Sequence, residues 1–111
     1  MINVDLFRAE GGPITSFSCR GHAGAADRGK DIVCAAVSMT VINTINSIEV
    51  LLPEDGKKMT VDSNDEKGEI SFDFREAPSK EAALLLESMY LGLKTIEEDY
   101  KGEYIHITER R

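Results

Sequence analysis

The sequence predicts an α+β domain with elements in the order ββαββαβ, a mixed sheet carrying two helices packed on one face. Alternating apolar and polar residues separated by turn signals give two hairpins, and apolar residues at helical spacing mark two longer segments. The chain has 111 residues, of which 41% are hydrophobic and 30% charged. That is enough for one hydrophobic core and too little for two, so residues 1–111 are read as a single domain.

Ile2-Asn3-Val4-Asp5-Leu6 alternates as a half-buried strand does, and Glu10-Gly11-Gly12-Pro13 turns the chain. The second strand runs from Ile14 to about Gly21, with Phe17 and Cys19 on one face and Ser16, Ser18 and Arg20 on the other. From Gly21 to Lys30 the chain is rich in glycine and alanine and has no large apolar side chain, which predicts a mobile surface loop. Asp31 is a favoured N-cap for a buried helix reaching about Leu52, with Pro53 as its stop. Its length argues against a strand, and Cys34, Val41, Ile45, Ile48 and Leu52 recur at helical spacing.

Glu54 to Lys58 reads as polar connection. Met59 and Val61 then alternate with Thr60 and Asp62, and Ile70, Phe72 and Phe74 with Ser71 and Asp73, about a turn at Asn64 to Gly68. Ser79 caps a second helix whose stripe is Leu86, Met89, Tyr90, Leu93 and Ile96, ending near Tyr100 to Gly102. Tyr104 to Thr108 forms the last strand and places His106 away from the core.

Twenty acidic against thirteen basic side chains give a net charge of −7, which disfavours direct nucleic-acid binding and attachment to anionic membranes, and leaves basic protein partners open. The longest unbroken apolar run is Ile32 to Val37, and Asp5, Arg8 and Glu10 interrupt the N-terminus where a secretory signal needs an apolar stretch. A cytoplasmic protein with thiols rather than a disulfide is expected. A zinc site of Cys19, His22, Asp31 and Cys34 would lack a closely spaced ligand pair, and no nucleotide-binding fingerprint occurs, so neither metal nor cofactor is expected.

The chemistry-bearing stretch is Gly21 to Ser38. With Asp31 as cap, Cys34 falls in the first helical turn beside unpaired N–H groups, where a thiolate is favoured and an oxyanion could be held. His22, brought back by closure of the loop, would complete a Cys–His pair for acyl transfer. Asp31 is explained by capping and is also a possible orienter of His22. The residues alone leave a second reading open, with Cys34 a small core hydrophobe and His22 a solvated loop residue. Cys19, on the Phe17 side of its strand, is expected in the core.

Gly21-His22-Ala23, a short loop and then Asp31-Ile32-Val33-Cys34-Ala35-Ala36-Val37-Ser38 resemble the signature of the bacterial ribosomal-processing cysteine proteases, the Prp family. Length, position of the signature and element order are similar as well, so the resemblance spans the chain. It implies a cysteine endopeptidase with Cys34 as nucleophile and His22 as base and acid, acting without a cofactor. It also implies a homodimer with a flexible substrate loop, here including Gly21, Ala23, Gly24 and Gly29. The implied substrate is a precursor of ribosomal protein number twenty-seven of the large subunit, which loses a short N-terminal extension so that its mature end reaches the peptidyl-transferase region. Many relatives have an aromatic residue soon after the Gly-His-Ala, where this chain has Gly24, Ala25 and Ala26. A reading of a different class is a non-catalytic ribosome-associated peptide-binding or assembly factor, in which Cys34 is unreactive.

Overall fold

Alternation in the sequence becomes a five-stranded sheet with one apolar face. In the computed structural model, which describes residues 1–21, 28–64 and 66–111 and only the backbone of 28–31, β1 (Ile2–Arg8) buries Ile2, Val4 and Leu6. It pairs antiparallel with β2 (Ile14–Arg20), setting Val4 opposite Cys19 and Leu6 opposite Phe17. β3 (Met59–Asn64) and β4 (Glu69–Phe74) form the second hairpin, and β4 joins β2 with Phe72 opposite Phe17 and Ile70 opposite Cys19. β5 (Ile105–Arg110) lies parallel to β1, giving the order β3-β4-β2-β1-β5. The sheet is mixed, as expected. β1 and β5 run two residues beyond the predicted ends because their parallel pairing continues to Phe7 opposite Arg110.

The helices are α1 (Arg28–Leu51), α2 (Pro53–Lys58) and α3 (Lys80–Asp99). Val33, Val37, Val41, Ile45 and Ile48 of α1 and Leu86, Met89 and Leu93 of α3 share one core with the sheet residues Leu6, Phe17 and Phe72, so both long helices cover the same face. Although Ile32–Leu51 is long and apolar enough to cross a membrane, its buried stripe supplies the core of this domain. Thr44, buried in the same helix, donates its hydroxyl to the Thr40 carbonyl oxygen at 2.8 Å and so carries no orphaned polar atom.

Two expectations need correction. The first helix begins at Arg28, so Asp31 is a first-turn residue and not the cap, and Arg28, Gly29 and Lys30 belong to the helix rather than to the loop. Arg and Lys are good helix formers, and an acidic side chain suits the first turn as well as the cap, which makes Asp31 a marker of the helix start with an uncertainty of one turn. The segment after Pro53 is a short helix, not plain connection. Pro53 ends α1 and opens α2 from a first-turn position where its missing N–H costs nothing. Glu54 and Asp55 lie at the N-terminal end and Lys57 and Lys58 at the C-terminal end, each sign matching the helix dipole. Gly56 packs closely on α1, since a Cβ there would stand 3.2 Å from Glu49 Cα.

α2 also anchors α3. The buried Asp55 carboxylate accepts from the Ser79 N–H at 2.8 Å and the Ser79 hydroxyl at 2.7 Å, while that hydroxyl oxygen accepts from the Ala82 N–H at 3.1 Å, so Ser79 is the predicted cap. Burial pushes the Asp55 carboxyl upward, but the Ser79 N–H and hydroxyl and the Lys58 charge outweigh it and hold the group below its ordinary 3.8. A depressed folded value contributes stability that is complete above the unfolded value and is lost as pH falls through the folded one. Asp55→Ala is expected to lower unfolding free energy by about 2–3 kcal/mol at neutral pH, since it leaves the Ser79 donors unpaired. Urea titrations should show that deficit shrinking as the pH is taken below about 4.

Candidate active site

Cys34 sits on α1 next to the buried Val33 and one turn before Val37, half-buried and packed against the core. The helix repeat aligns Cys34 with Val37, Ser38 and Val41 along one wall of a cleft of about 440 Å³. Ile2, Cys19 and Ile70 of three neighbouring strands line it from the sheet, and Ser63, Asn64 and Gly68 close it at the β3–β4 hairpin. The cleft therefore has an apolar lining from helix and sheet and a polar margin at Ser38, Ser63 and Asn64. That composition suits an extended peptide whose side chains are buried and whose main chain still finds hydrogen-bonding groups.

Gly21 follows β2 and lines the same cleft. Its φ is +116°, and a Cβ would lie 2.4 Å from the Met1 carbonyl oxygen, so no other residue fits without moving the start of β1. His22 is its covalent neighbour, so the chain that bears the imidazole leaves the sheet at this cleft. His22, Ala23 and Gly24 lie outside the described residues, as does the side chain of Asp31. The predicted mobility of the loop and the His22–Cys34 pairing fall there too. Gly29 stands in α1 and not in the predicted substrate loop.

The helix boundary changes the expected chemistry of Cys34. It is the seventh residue of α1, so its amide belongs to the helical ladder, and the unpaired amides are those of Arg28 to Asp31. Roughly 9 Å of helix axis separates it from the first helical residue, and the dipole effect fades within the first turn. An oxyanion site in those first-turn amides, as the sequence suggested, is too far back along the axis to serve a carbonyl at Cys34.

Cys19 behaves as predicted. It is buried in the core, where desolvation chiefly, and the nearby Cys34 next, push its thiol up to about 11. His106 is exposed on the far face of β5, also as predicted. The hairpin's part in the cleft was not anticipated. The available signal was Ser63, a polar residue in the phase of Met59 and Val61 on its strand.

Two measurements probe this geometry. Iodoacetamide at neutral pH should label Cys34 and leave Cys19 unlabelled until the protein is unfolded, because a thiol at about 11 is ionised in roughly one molecule in 10,000 at pH 7. Peptide mapping reads the sites, and labelling of Cys19 in the folded protein would contradict its burial. Gly21→Ala should destabilise the fold by more than about 1 kcal/mol in chemical unfolding, given the positive φ and the contact with Met1.

Known proteins share this architecture. A family model described as cysteine protease Prp matches residues 1–106. The ribosomal processing cysteine protease Prp of Bacillus subtilis is 37% identical over 105 residues, covering 91% of each chain. The crystal structure of an essential ribosomal processing protease Prp from S. aureus in complex with a substrate peptide superposes with a TM-score of 0.87 at 30% identity, covering 99% of this chain and 100% of that one. The same S. aureus protease with a covalently linked product peptide gives 0.85 at 31% identity, with the same coverage.

Proposed function

This chain belongs to the cysteine protease Prp family and is a cysteine protease, and from that premise we propose that Cys34 and His22 cleave the N-terminal extension from a precursor of large-subunit ribosomal protein number twenty-seven. The observation that supports the reading is a half-buried thiol on a core-anchored helix, opening into a peptide-sized cleft that is also lined by Gly21, the residue before His22 in the sequence. In this mechanism His22 takes the thiol proton and the Cys34 sulfur attacks the scissile carbonyl carbon. The imidazolium returns that proton to the departing amine, which releases the mature N-terminus and leaves the extension as a thioester on Cys34. A water deprotonated by His22 then attacks the thioester and restores the thiol. The product peptide covalently linked to the S. aureus relative supports a covalent route.

With Asp31 inside the helix rather than at its cap, we assign it to orienting His22, and Ala23 and Gly24 to the substrate loop. No metal or cofactor takes part. The net charge of −7 suits a basic ribosomal protein rather than nucleic acid or an anionic membrane. The cytoplasm, where ribosomal proteins are made, is the proposed setting. A homodimer is the proposed assembly, supported by exposed Met39, Leu84 and Leu91 on the outer sides of α1 and α3.

Incubation with the extended precursor, followed by mass spectrometry, should yield the free extension and the shortened protein. Cys34→Ala should abolish cleavage while the protein still folds, since alanine is at ease in a helix. His22→Ala should slow cleavage by about 100-fold or more, yet reduce alkylation of Cys34 by iodoacetamide much less, because a small reagent has no amine to protonate. Cleavage of the precursor by His22→Ala at the parental rate would remove His22 from the mechanism.

A further inference from the structure

β3 is an edge strand, paired with β4 alone among the described residues, and it carries little of the usual protection of such edges. Its pairing with β4 continues without a shift from Met59 opposite Phe74 to Asn64 opposite Glu69, it contains no proline, no lysine and no bulge, and its one charged residue is Asp62. Thr60 to Asn64 are all exposed. The opposite edge, β5, carries His106, Glu109 and Arg110 instead.

The hydrogen-bond phase of β3 follows from one bond. The Arg75 N–H donates to the Lys58 carbonyl oxygen at 2.9 Å, and these two residues continue the register as direct partners. In an antiparallel ladder bonded and non-bonded pairs alternate, so Thr60, Asp62 and Asn64 turn their main-chain groups to β4, and Met59, Val61 and Ser63 turn theirs to the open edge. The Met59 N–H is taken by the Gly56 carbonyl oxygen. Val61 and Ser63 thus present their N–H and C=O groups outward at residue spacing two, and Ser63 also lines the Cys34 cleft.

We propose that the substrate is held as an added strand on the free edge of β3, its main chain paired with Val61 and Ser63 on the way to Cys34. This rests on the proteolytic reading above and deepens it. A protease must present an extended main chain to its nucleophile, and an open strand edge running into the nucleophile's own cleft supplies sequence-independent hydrogen bonds that fix the register of the peptide. The occupant is the substrate because Ser63, at the end of that edge, and Cys34 line the same cleft.

The test removes one outward donor from each side. Ser63→Pro deletes an N–H that β4 does not use, a change edge strands tolerate. Cleavage of a peptide spanning the precursor's processing site should lose about tenfold in kcat/KM, while iodoacetamide still labels Cys34 at the parental rate. In parallel, a series of substrate peptides N-methylated one residue at a time is assayed with the parent protein. Strand addition predicts losses at every second residue on one side of the scissile bond. Parental kcat/KM in Ser63→Pro, together with methylation losses that do not alternate, would overturn strand addition and leave the protease reading intact. If Ser63→Pro does not fold, the methylation series on the parent decides alone. A parent protein that cleaves no form of the peptide overturns the substrate assignment, and strand addition falls with it.

Discussion

Burial of one stripe of α1 on the inner face of the sheet is the constraint on which the rest depends. Val33, Val37, Val41, Ile45 and Ile48 are each no more than 4% exposed, and they close over a sheet centred on the stacked rings of Phe17 and Phe72, whose centroids lie 5.2 Å apart. Burying each such aliphatic side chain is worth about 1.5–3 kcal/mol, so the helix cannot roll about its axis without losing most of the core. Cys34 inherits its direction from this. It stands beside Val33 and one turn before Val37, and the core therefore aims the thiol at the cleft whatever the preceding segment does.

The same packing gives the two cysteines opposite characters. Cys19 and Cys34 border one cleft, yet Cys19 points inward from a central strand between Val4 and Ile70, while Cys34 sits at the margin of the helix–sheet contact. Desolvation keeps the first protonated and chemically quiet; partial exposure leaves the second open to a reagent. A short distance across one cleft separates a packing residue from a partly exposed thiol.

The polar contacts secure the frame rather than the site. The Asp55–Ser79 pair ties the connection after α1 to the start of α3. At the opposite end of the sheet Arg8 reaches Glu87 of α3 and Glu109 of β5 and lies 5.2 Å over the Tyr90 ring. Together they hold α3 against the β1–β5 side while α1 covers the other flank. The cleft stays open between α1 and the β3–β4 hairpin, where no such tie occurs among the described residues. The polar ties and the open cleft thereby lie at different parts of the same sheet.

Most of the fold was legible in the sequence because alternation and helical spacing are local consequences of which side chains must leave water. Hairpins, both long helices, the Ser79 cap, the burial of Cys19 and the exposure of His106 all follow from that. The Gly21-His22 and Asp31 to Ser38 signature was likewise readable, since it depends on residue identity alone. The start of α1 was not, because Arg28 to Lys30 carry no apolar periodicity and nothing local separates a cap from a first-turn acid. Nor was α2, whose six residues, four of them charged, gain their place from Asp55 meeting Ser79 across 24 positions of sequence. The cleft was decided by tertiary structure alone. Its walls come from β1, β2, α1 and the β3–β4 hairpin, and only the pairing order β3-β4-β2-β1-β5 brings Ser63 and Cys34 to the same opening, a long-range contact that no local pattern encodes.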